Sequence, residues 1–188
     1  MSRYGAERKA ETRERILTTA SRQFRQGGIA DVGIAGIMTE SGLTNGAFYA
    51  HFASKNELVR ETIARAMERQ RQEMEEQSRG EGLEGVIRSY LSVRHRDHAD
   101  DGCPSAAMLA EIGRAPSDLK ASYQAALDPI LDVIEERLGG DRSTRRARAT
   151  SIFALLVGTI QLARATTDSA MSQAVLDAGI SAALTFTN

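Results

Sequence analysis

Residues 33–52, GIAGIMTESGLTNGAFYAHF, constrain the fold more than any other stretch of the chain. Ile34, Ile37 and Met38 have the i, i+3, i+4 spacing of one helical face. Gly42 follows that face and suits the left-handed conformation in which many helices end. The pattern predicts a helix followed by a tight turn.

The rest of this stretch predicts a second, shorter helix over residues 45–52. The Thr44 hydroxyl can cap its start, and Phe48 and Phe52 share its inner face at i, i+4. Hydroxyl, amide, phenol and imidazole groups remain on its other faces, and a helix of this kind can enter the DNA major groove. The predicted groove or backbone contacts are Thr44, Asn45, Gly46, Ala47, Tyr49 and His51.

Two other interpretations of these residues stay open. Asn45-Gly46 is a hairpin signal when alternating apolar strands flank it, although the flanks here have helical spacing. An amphipathic helix pair without any role in DNA binding also fits the spacing. The motif alone therefore does not decide the function.

Composition indicates an ordinary globular protein of one large or two small domains, with 188 residues, 41% of them hydrophobic and 26% charged. The net charge is −1, but residues 1–60 hold 9 Lys and Arg against 6 Asp and Glu, net +3. A modestly basic first third suits contact with phosphates. The single cysteine excludes an intrachain disulfide, and we find neither a signal peptide nor a long apolar run, so we expect a cytoplasmic protein without a membrane span.

The region around the motif resembles the DNA-binding domain of the TetR family of bacterial transcription regulators. The resemblance covers about residues 8–68 and is carried by Thr12-Arg13, Ile16-Leu17, Ala20, Phe24, Gly27-Gly28, Ile37, Gly42-Leu43-Thr44, Gly46, Phe48-Tyr49, His51-Phe52, Lys55 and Leu58. Gly33 and Met38 depart from the family pattern, which often has Ser or Thr and Ala at these positions. The resemblance implies a ligand-responsive repressor that binds a palindromic operator as a homodimer, with a ligand-binding and dimerisation domain over residues 81–188.

Helical periodicity continues through the chain, and we predict an all-α fold of about nine helices. Thr12 is expected to cap the first helix after a loose segment, residues 1–11, whose Arg3, Arg8 and Lys9 form either a DNA-binding arm or a solvated terminus. Ser54 and Glu57 form a capping box for the fourth helix. That helix is predicted to end near residue 77, with a module boundary at residues 80–82.

The later helices are predicted over residues 83–96, from Pro104, from Pro116 to Leu138, from Asp141 or Ser143, and over residues 168–186. The last two are rich in apolar and small side chains and suit a four-helix dimer interface. Arg13, near the predicted start of the first helix, and Lys55, in the first turn of the fourth, are the predicted phosphate contacts.

The second module is expected to hold an effector that the sequence does not identify. Residues 102–114 are similar to a segment in a subset of the same family. The possible lining residues are Tyr90, Arg94, Cys103, Met108, Tyr123, Phe153 and Gln161, and plain core packing is the alternative for each. Cys103, at a predicted helix start beside basic residues, also suggests a thiol that senses electrophiles or oxidants, with an inert cysteine as the alternative.

Other chemistry has little support in the sequence. His95, His98, Asp100 and Asp101 could suggest a metal site, but a solvated acidic loop is the simpler interpretation. No nucleophile–base set or phosphate loop is present, so we expect no enzyme activity, no metal and no cofactor. The alternatives to a DNA-binding repressor are a helical module that binds a small apolar molecule without DNA, and a repressor that responds through Cys103.

Overall fold

The computed structural model describes residues 3–187, without the side chains of residues 3–6. This part of the chain contains eight α-helices, one 3₁₀ helix and no strand. The elements are α1 Arg3–Gly27, α2 Ile34–Glu40, the 3₁₀ helix Asn45–Ala50, α3 Lys55–Tyr90, α4 Val93–Asp97, α5 Pro104–Arg114, α6 Ser117–Glu135, α7 Arg142–Ala165 and α8 Ser169–Leu184. The predicted all-α fold of about nine helices is confirmed.

The long helix α3 connects two parts of the molecule. We call α1, α2, the 3₁₀ helix and α3 up to Arg69 the head, and the remainder the body. With 36 residues, α3 has a length of about 54 Å at 1.5 Å per residue. Gly82 interrupts its helical geometry with φ 68° and ψ −166°. Two helical stretches therefore meet at Gly82. The break predicted at residues 80–82 is present, and the first stretch runs a few residues beyond the predicted end near residue 77.

The apolar side chains of the head are buried in one core. Ile16, Ala20 and Phe24 of α1 are 0% exposed, as the sequence spacing predicted. Ile37 of α2 and Leu58 of α3 belong to the same hydrophobic cluster. The polar face of α1 is left to solvent and to ion pairs with α3.

The first helix begins earlier than predicted. α1 is helical from Arg3, and the Thr12 hydroxyl donates to the Arg8 carbonyl at 2.8 Å inside the helix instead of capping its start. Residues 3–11 are rich in Ala, Glu, Arg and Lys, which favour helix, so the predicted loose segment is wrong for them. Residues 1 and 2 and the Arg3 side chain lie outside the description, whereas Arg8 and Lys9 are exposed on α1.

The second helix of the motif is a 3₁₀ helix and ends at Ala50, two residues before the predicted end. The backbone N–H of Ala47 donates to the Thr44 carbonyl at 3.0 Å, and that of His51 donates to the Phe48 carbonyl at 2.9 Å, both with i→i+3 spacing. The Thr44 hydroxyl forms no capping hydrogen bond, so that part of the prediction is wrong.

The turn between these two helices has the predicted glycine geometry. Gly42 has φ 68°, its N–H donates to the Thr39 carbonyl at 3.0 Å, and the Leu43 N–H donates to the Met38 carbonyl at 2.9 Å. This pair of bonds is the Schellman pattern of a helix C-terminus. Leu43 is half-buried and packs against the head core.

The body is a bundle in which α3 packs on α6 and α7 packs on both α6 and α8. Asp141 caps α7 by accepting from the Ser143 N–H at 3.0 Å, as predicted, and Asp168 caps α8 in the same way. The helix predicted over residues 83–96 is divided, because Ser92 caps the short helix α4. Across residues 3–187, no helix is both long and apolar enough for a membrane crossing.

Two glycines of the motif provide a test of the turn geometry. An added Cβ meets no atom within 4 Å at Gly42 or at Gly46, but only Gly42 has a positive φ. Gly42→Ala should lower the free energy of unfolding by about 1–2 kcal/mol, and Gly46→Ala should not lower it. Urea denaturation followed by circular dichroism measures both, and equal destabilisation would contradict the assigned turn.

Candidate nucleic-acid interface

The 3₁₀ helix is held in place by two aromatic side chains. Phe48 is 0% exposed and Phe52 is 1% exposed, and their rings stack with centroids 5.6 Å apart. Both belong to the head core. The inner face of the short helix is therefore fixed, and this confirms the burial predicted from the i, i+4 spacing.

The outer face of the same helix is open to solvent. Thr44, Asn45 and Gly46 are exposed, and the Tyr49 side chain is 70% exposed even though its ring meets the Phe48 ring edge-on at 5.3 Å. Ala47 is half-buried. Hydroxyl, amide and phenol groups can donate to and accept from base edges and phosphates, so this face has the chemistry of a DNA-reading surface.

His51 lies at the edge of this face and is half-buried. Burial lowers the pKa of His51 below its ordinary value of 6.5, and the positive charges of Lys9 and Arg13 lower it further. The imidazole is therefore neutral at pH 7 and can donate or accept a hydrogen bond there. Arg13 of α1 stacks on Phe52, so this part of α1 lies beside the end of the 3₁₀ helix.

Lys55 lies in the first turn of α3, and its Nζ donates to the Ala30 carbonyl at 3.3 Å. The predicted capping box is present beside it: the Ser54 hydroxyl accepts from the Glu57 N–H at 3.1 Å, and Glu57 Oε2 accepts from the Ala53 N–H at 2.6 Å. The Glu57 carboxylate thus stands at the helix start where a phosphate was expected. A phosphate contact from Lys55 stays a prediction.

The Arg13 guanidinium forms contacts inside the head. It forms a bidentate pair with Glu61, in which Nη2 lies 2.5 Å from Oε1, and it stacks 4.3 Å from the centroid of the Phe52 ring. The hydrogen bond with Glu61 is the main cause of the raised pKa of Arg13. Because α1 starts at Arg3, the predicted position of Arg13 near a helix start is wrong, and its phosphate contact stays a prediction that this pairing disfavours.

A carboxylate of the body holds the loop that follows α1. Glu111 of α5 accepts from the N–H groups of Ile29 and Ala30 with its two oxygens, each at 2.9 Å. Gly28, with φ 82°, turns the chain there, and a Cβ at Gly28 would lie 3.1 Å from the carboxylate. Sequence analysis missed this contact, because no local spacing signals a pair about 80 residues apart.

Further bonds connect the head with the body. Arg25 Nε donates to the Asp100 carbonyl at 2.7 Å, and Arg69 Nη2 donates to the carbonyl and carboxylate of Asp101 at 2.9 and 2.8 Å. On another side, Asp118 of α6 accepts from Asn56 at 2.8 Å. Residues 98–102 are thus bonded directly to α1 and α3.

The body contains a cavity of about 540 Å³ between the second half of α3, α4 and residues 98–102. We call it the body cavity. Tyr90 and Arg94, two of the predicted lining residues, line it together with carboxylates that include Glu73 and Asp101. Burial raises the pKa of Glu73. The walls are therefore mixed polar and apolar.

The other five predicted lining residues do not line this cavity. Four of them, Cys103, Met108, Tyr123 and Phe153, are 9% exposed or less and belong to the hydrophobic core. The Tyr123 hydroxyl is within 2.8 Å of the Ser105 hydroxyl. Gln161 is exposed and donates to the Ala106 carbonyl at 3.1 Å. Core packing, the alternative noted for each, describes the four apolar positions.

Cys103 is 0% exposed, so oxidants reach its thiol only if the protein opens locally. Its N–H donates to His95 Nε2 at 2.9 Å, and His95 Nδ1 donates to the Tyr90 carbonyl at 2.6 Å. Both ring nitrogens of His95 are therefore used by the fold. Within the described residues, no three His, Cys, Asp or Glu side chains lie close enough to hold a metal ion.

Comparison with known proteins agrees with the geometry of the head. Residues 16–62 match the family model described as bacterial regulatory proteins, tetR family. The HTH-type transcriptional regulator LmrA of Bacillus subtilis is 28% identical over 162 residues, which cover 81% of this chain and 86% of LmrA. LmrA is a transcription regulator.

Solved structures share the whole fold. The reduced form of NemR from E. coli superposes with a TM-score of 0.76 at 17% identity, covering 92% of this chain and 95% of NemR. A TetR-family regulator from Agrobacterium tumefaciens also gives a TM-score of 0.76, at 21% identity over 92% of this chain and 97% of that one. The match of residues 16–62 to the tetR family model, together with the shared fold, supports a TetR-family transcription regulator.

Proposed function

We propose that the chain is a cytoplasmic repressor that binds a palindromic operator as a homodimer and is released by a small-molecule effector. DNA binding is supported by the 3₁₀ helix, which has one buried apolar side and one exposed polar side. Its polar groups, Thr44, Asn45 and Tyr49, face solvent, while Phe48 is buried below them. A polar face that is held rigidly can contact base edges without the entropic cost of ordering a loop.

A short recognition element requires a second copy. Six residues, Asn45–Ala50, can reach only a few base pairs. A two-fold dimer places two heads in successive major grooves about 34–36 Å apart and so reads a palindrome. The whole chain has a net charge of −1, so the head must supply the positive charge that meets the phosphates.

The surface proposed for dimerisation lies on α7 and α8. Leu162, near the end of α7, is 64% exposed, and Met171, near the start of α8, is 61% exposed. The two residues lie on either side of the short connection between these helices. Large apolar side chains that a single chain leaves in water become buried when a second copy packs on them, and their burial favours the dimer.

The proposed effector site is the body cavity. Its wall includes Asp101, and the same residue is bonded to Arg69 of the long helix. Residues 98–102 also hold Arg25 through the Asp100 carbonyl. An effector that displaces these residues would change the position of the head and thus bias the separation of the two heads in a dimer.

Tyr49→Ala tests the reading face. The variant should keep its thermal stability, because the side chain is 70% exposed. Its affinity for DNA flanking the gene of this protein should fall about tenfold or more if the phenol contacts a base or phosphate. Lys120→Ala, an exposed change in α6, is the matched control and should bind as the wild type does.

Mobility shift at two salt concentrations with excess random DNA measures these affinities. Specific binding by the wild type should weaken steeply with salt, because phosphate contacts release counterions. Equal affinity of folded Tyr49→Ala and wild type would contradict the placement of the 3₁₀ helix. The alternative, a small-molecule-binding module without DNA, predicts no salt-dependent specific shift for any variant.

Leu162→Asp tests the dimer surface. A carboxylate in a buried apolar interface is strongly unfavourable, so this variant should be a folded monomer with reduced operator affinity. Leu109→Asp in α5, where the side chain is 38% exposed, should remain dimeric. Sedimentation equilibrium gives the masses, and a dimeric Leu162→Asp protein would contradict the proposed interface.

A further inference from the structure

A second, smaller cavity of about 160 Å³ lies between α1 and α3, within the head and near its junction with the body. Three arginines line it, Arg25, Arg65 and Arg69, against the one carboxylate of Glu14. Hydroxyl groups of Thr18, Ser21 and Thr62 complete its polar lining. Donors and positive charge thus converge on a space that no part of the proposed function uses. We call it the arginine cavity.

Arg25 is the side chain that most needs a partner here. It is only 8% exposed, and its single hydrogen bond runs from Nε to the Asp100 carbonyl. Its Nη1 is buried and meets no hydrogen-bond partner anywhere in residues 3–187. Burial lowers the pKa of Arg25, and the positive charge of Arg69 lowers it further. A buried guanidinium with unused donors is costly unless an acceptor occupies the adjoining space.

The neighbouring arginines already have carboxylate partners. Arg65 pairs with Glu14, and Arg69 Nη2 lies 2.8 Å from Asp101 Oδ1. Arg69 Nε also lies 3.4 Å from Glu73. Arg25 has no such partner among the described residues. The lining therefore keeps a positive excess that is centred on the most buried of the three guanidinium groups.

Thr62 gives an independent indication on the opposite wall. It is 1% exposed, and its Oγ1 has no hydrogen-bond partner within the described part of the chain. A threonine inside a helix usually satisfies its hydroxyl on the carbonyl four residues earlier. A buried hydroxyl on α3 and a buried guanidinium on α1 are thus both left with unused hydrogen-bonding capacity beside the same cavity.

We propose that the arginine cavity binds a small oxyanion of the phosphate or sulfate class. The volume of about 160 Å³ is well above the roughly 10–15 Å³ that a single water molecule needs, so the cavity can accommodate a small ion of about five non-hydrogen atoms. Guanidinium donors form a planar fork that matches two oxygens of such an ion, and hydroxyls can donate to the others. The bound ion would join α1 to α3 beside the Asp100 and Asp101 bonds.

The expected ion is a free one and not a phosphate of the operator. Arg13 stacks on the Phe52 ring, just after the 3₁₀ helix. Arg25 follows 12 residues later on the same helix, a distance of about 18 Å at 1.5 Å per residue. Glu14, at the other end of the lining, is next to Arg13, so it is the Arg25 end of the arginine cavity that lies away from the proposed DNA surface. None of its lining residues lines the body cavity.

Titration calorimetry with inorganic phosphate, at constant ionic strength set with sodium chloride, tests the site. The full-length wild type should show saturable binding at millimolar concentration or tighter. Arg25→Met should lose the saturable signal, and Thr62→Val, which keeps the side-chain shape, should bind about fivefold more weakly. Arg15→Met is the control, because Arg15 is exposed on α1 and does not line the cavity.

Several results would overturn the proposal. These are the absence of a saturable signal in the wild type, equal binding by the wild type and Thr62→Val, or loss of binding in Arg15→Met. If Arg25→Met does not fold, the Thr62→Val comparison decides alone. A parallel titration with glycerol 3-phosphate identifies the source: tighter binding than inorganic phosphate indicates the phosphate group of a metabolite, and weaker binding indicates the free ion. Both outcomes support the site.

Thermal unfolding distinguishes binding of phosphate from a general effect of salt on stability. Phosphate and sulfate stabilise many proteins because they are excluded from the surface. That effect is the same in all four proteins, whereas binding raises the melting temperature only where the site is intact. An equal rise in the wild type and Arg25→Met would show exclusion and not a site.

Discussion

The burial of Phe48 and Phe52 is the constraint on which the proposed DNA surface depends. A six-residue 3₁₀ helix has too few internal hydrogen bonds to persist by itself. Its orientation comes from two aromatic rings in the core of the head, and Arg13 braces this arrangement by pairing with Glu61 and stacking on Phe52. Tyr49 is 70% exposed on the outer side. Its direction is defined because the inner side of the helix is fixed.

The second feature of the molecule is the set of bonds between the head and the body. Glu111 holds the backbone after α1, and residues 98–102 hold Arg25 and Arg69. These contacts use charged groups and backbone atoms and not packed apolar side chains, so a modest rearrangement of them is less costly than repacking a core. The body cavity and the arginine cavity both adjoin these bonds, so an effector and a small anion could each change how firmly the head is held.

Local sequence signals predicted what depends on local physics. The Gly42 turn, the Ser54–Glu57 capping box, the Asp141 cap and the burial of Phe48 all follow from neighbouring residues, and each is present. The early start of α1 and the 3₁₀ geometry were missed, because capping side chains such as Thr12 also occur inside helices. The partners of Arg13 and Glu111 were missed because they are 48 and about 80 residues away. The DNA and ligand roles of individual residues stay predictions.

Selection of bound sequences from a pool of random double-stranded DNA by the purified full-length chain tests the central claim most directly. It needs no knowledge of the operator and no effector. The account predicts enrichment of a palindrome whose half-sites lie about one helical turn apart, with binding lost in the Tyr49→Ala protein. Failure of the folded, dimeric wild type to enrich any sequence over the starting pool would contradict the proposal that this head reads DNA.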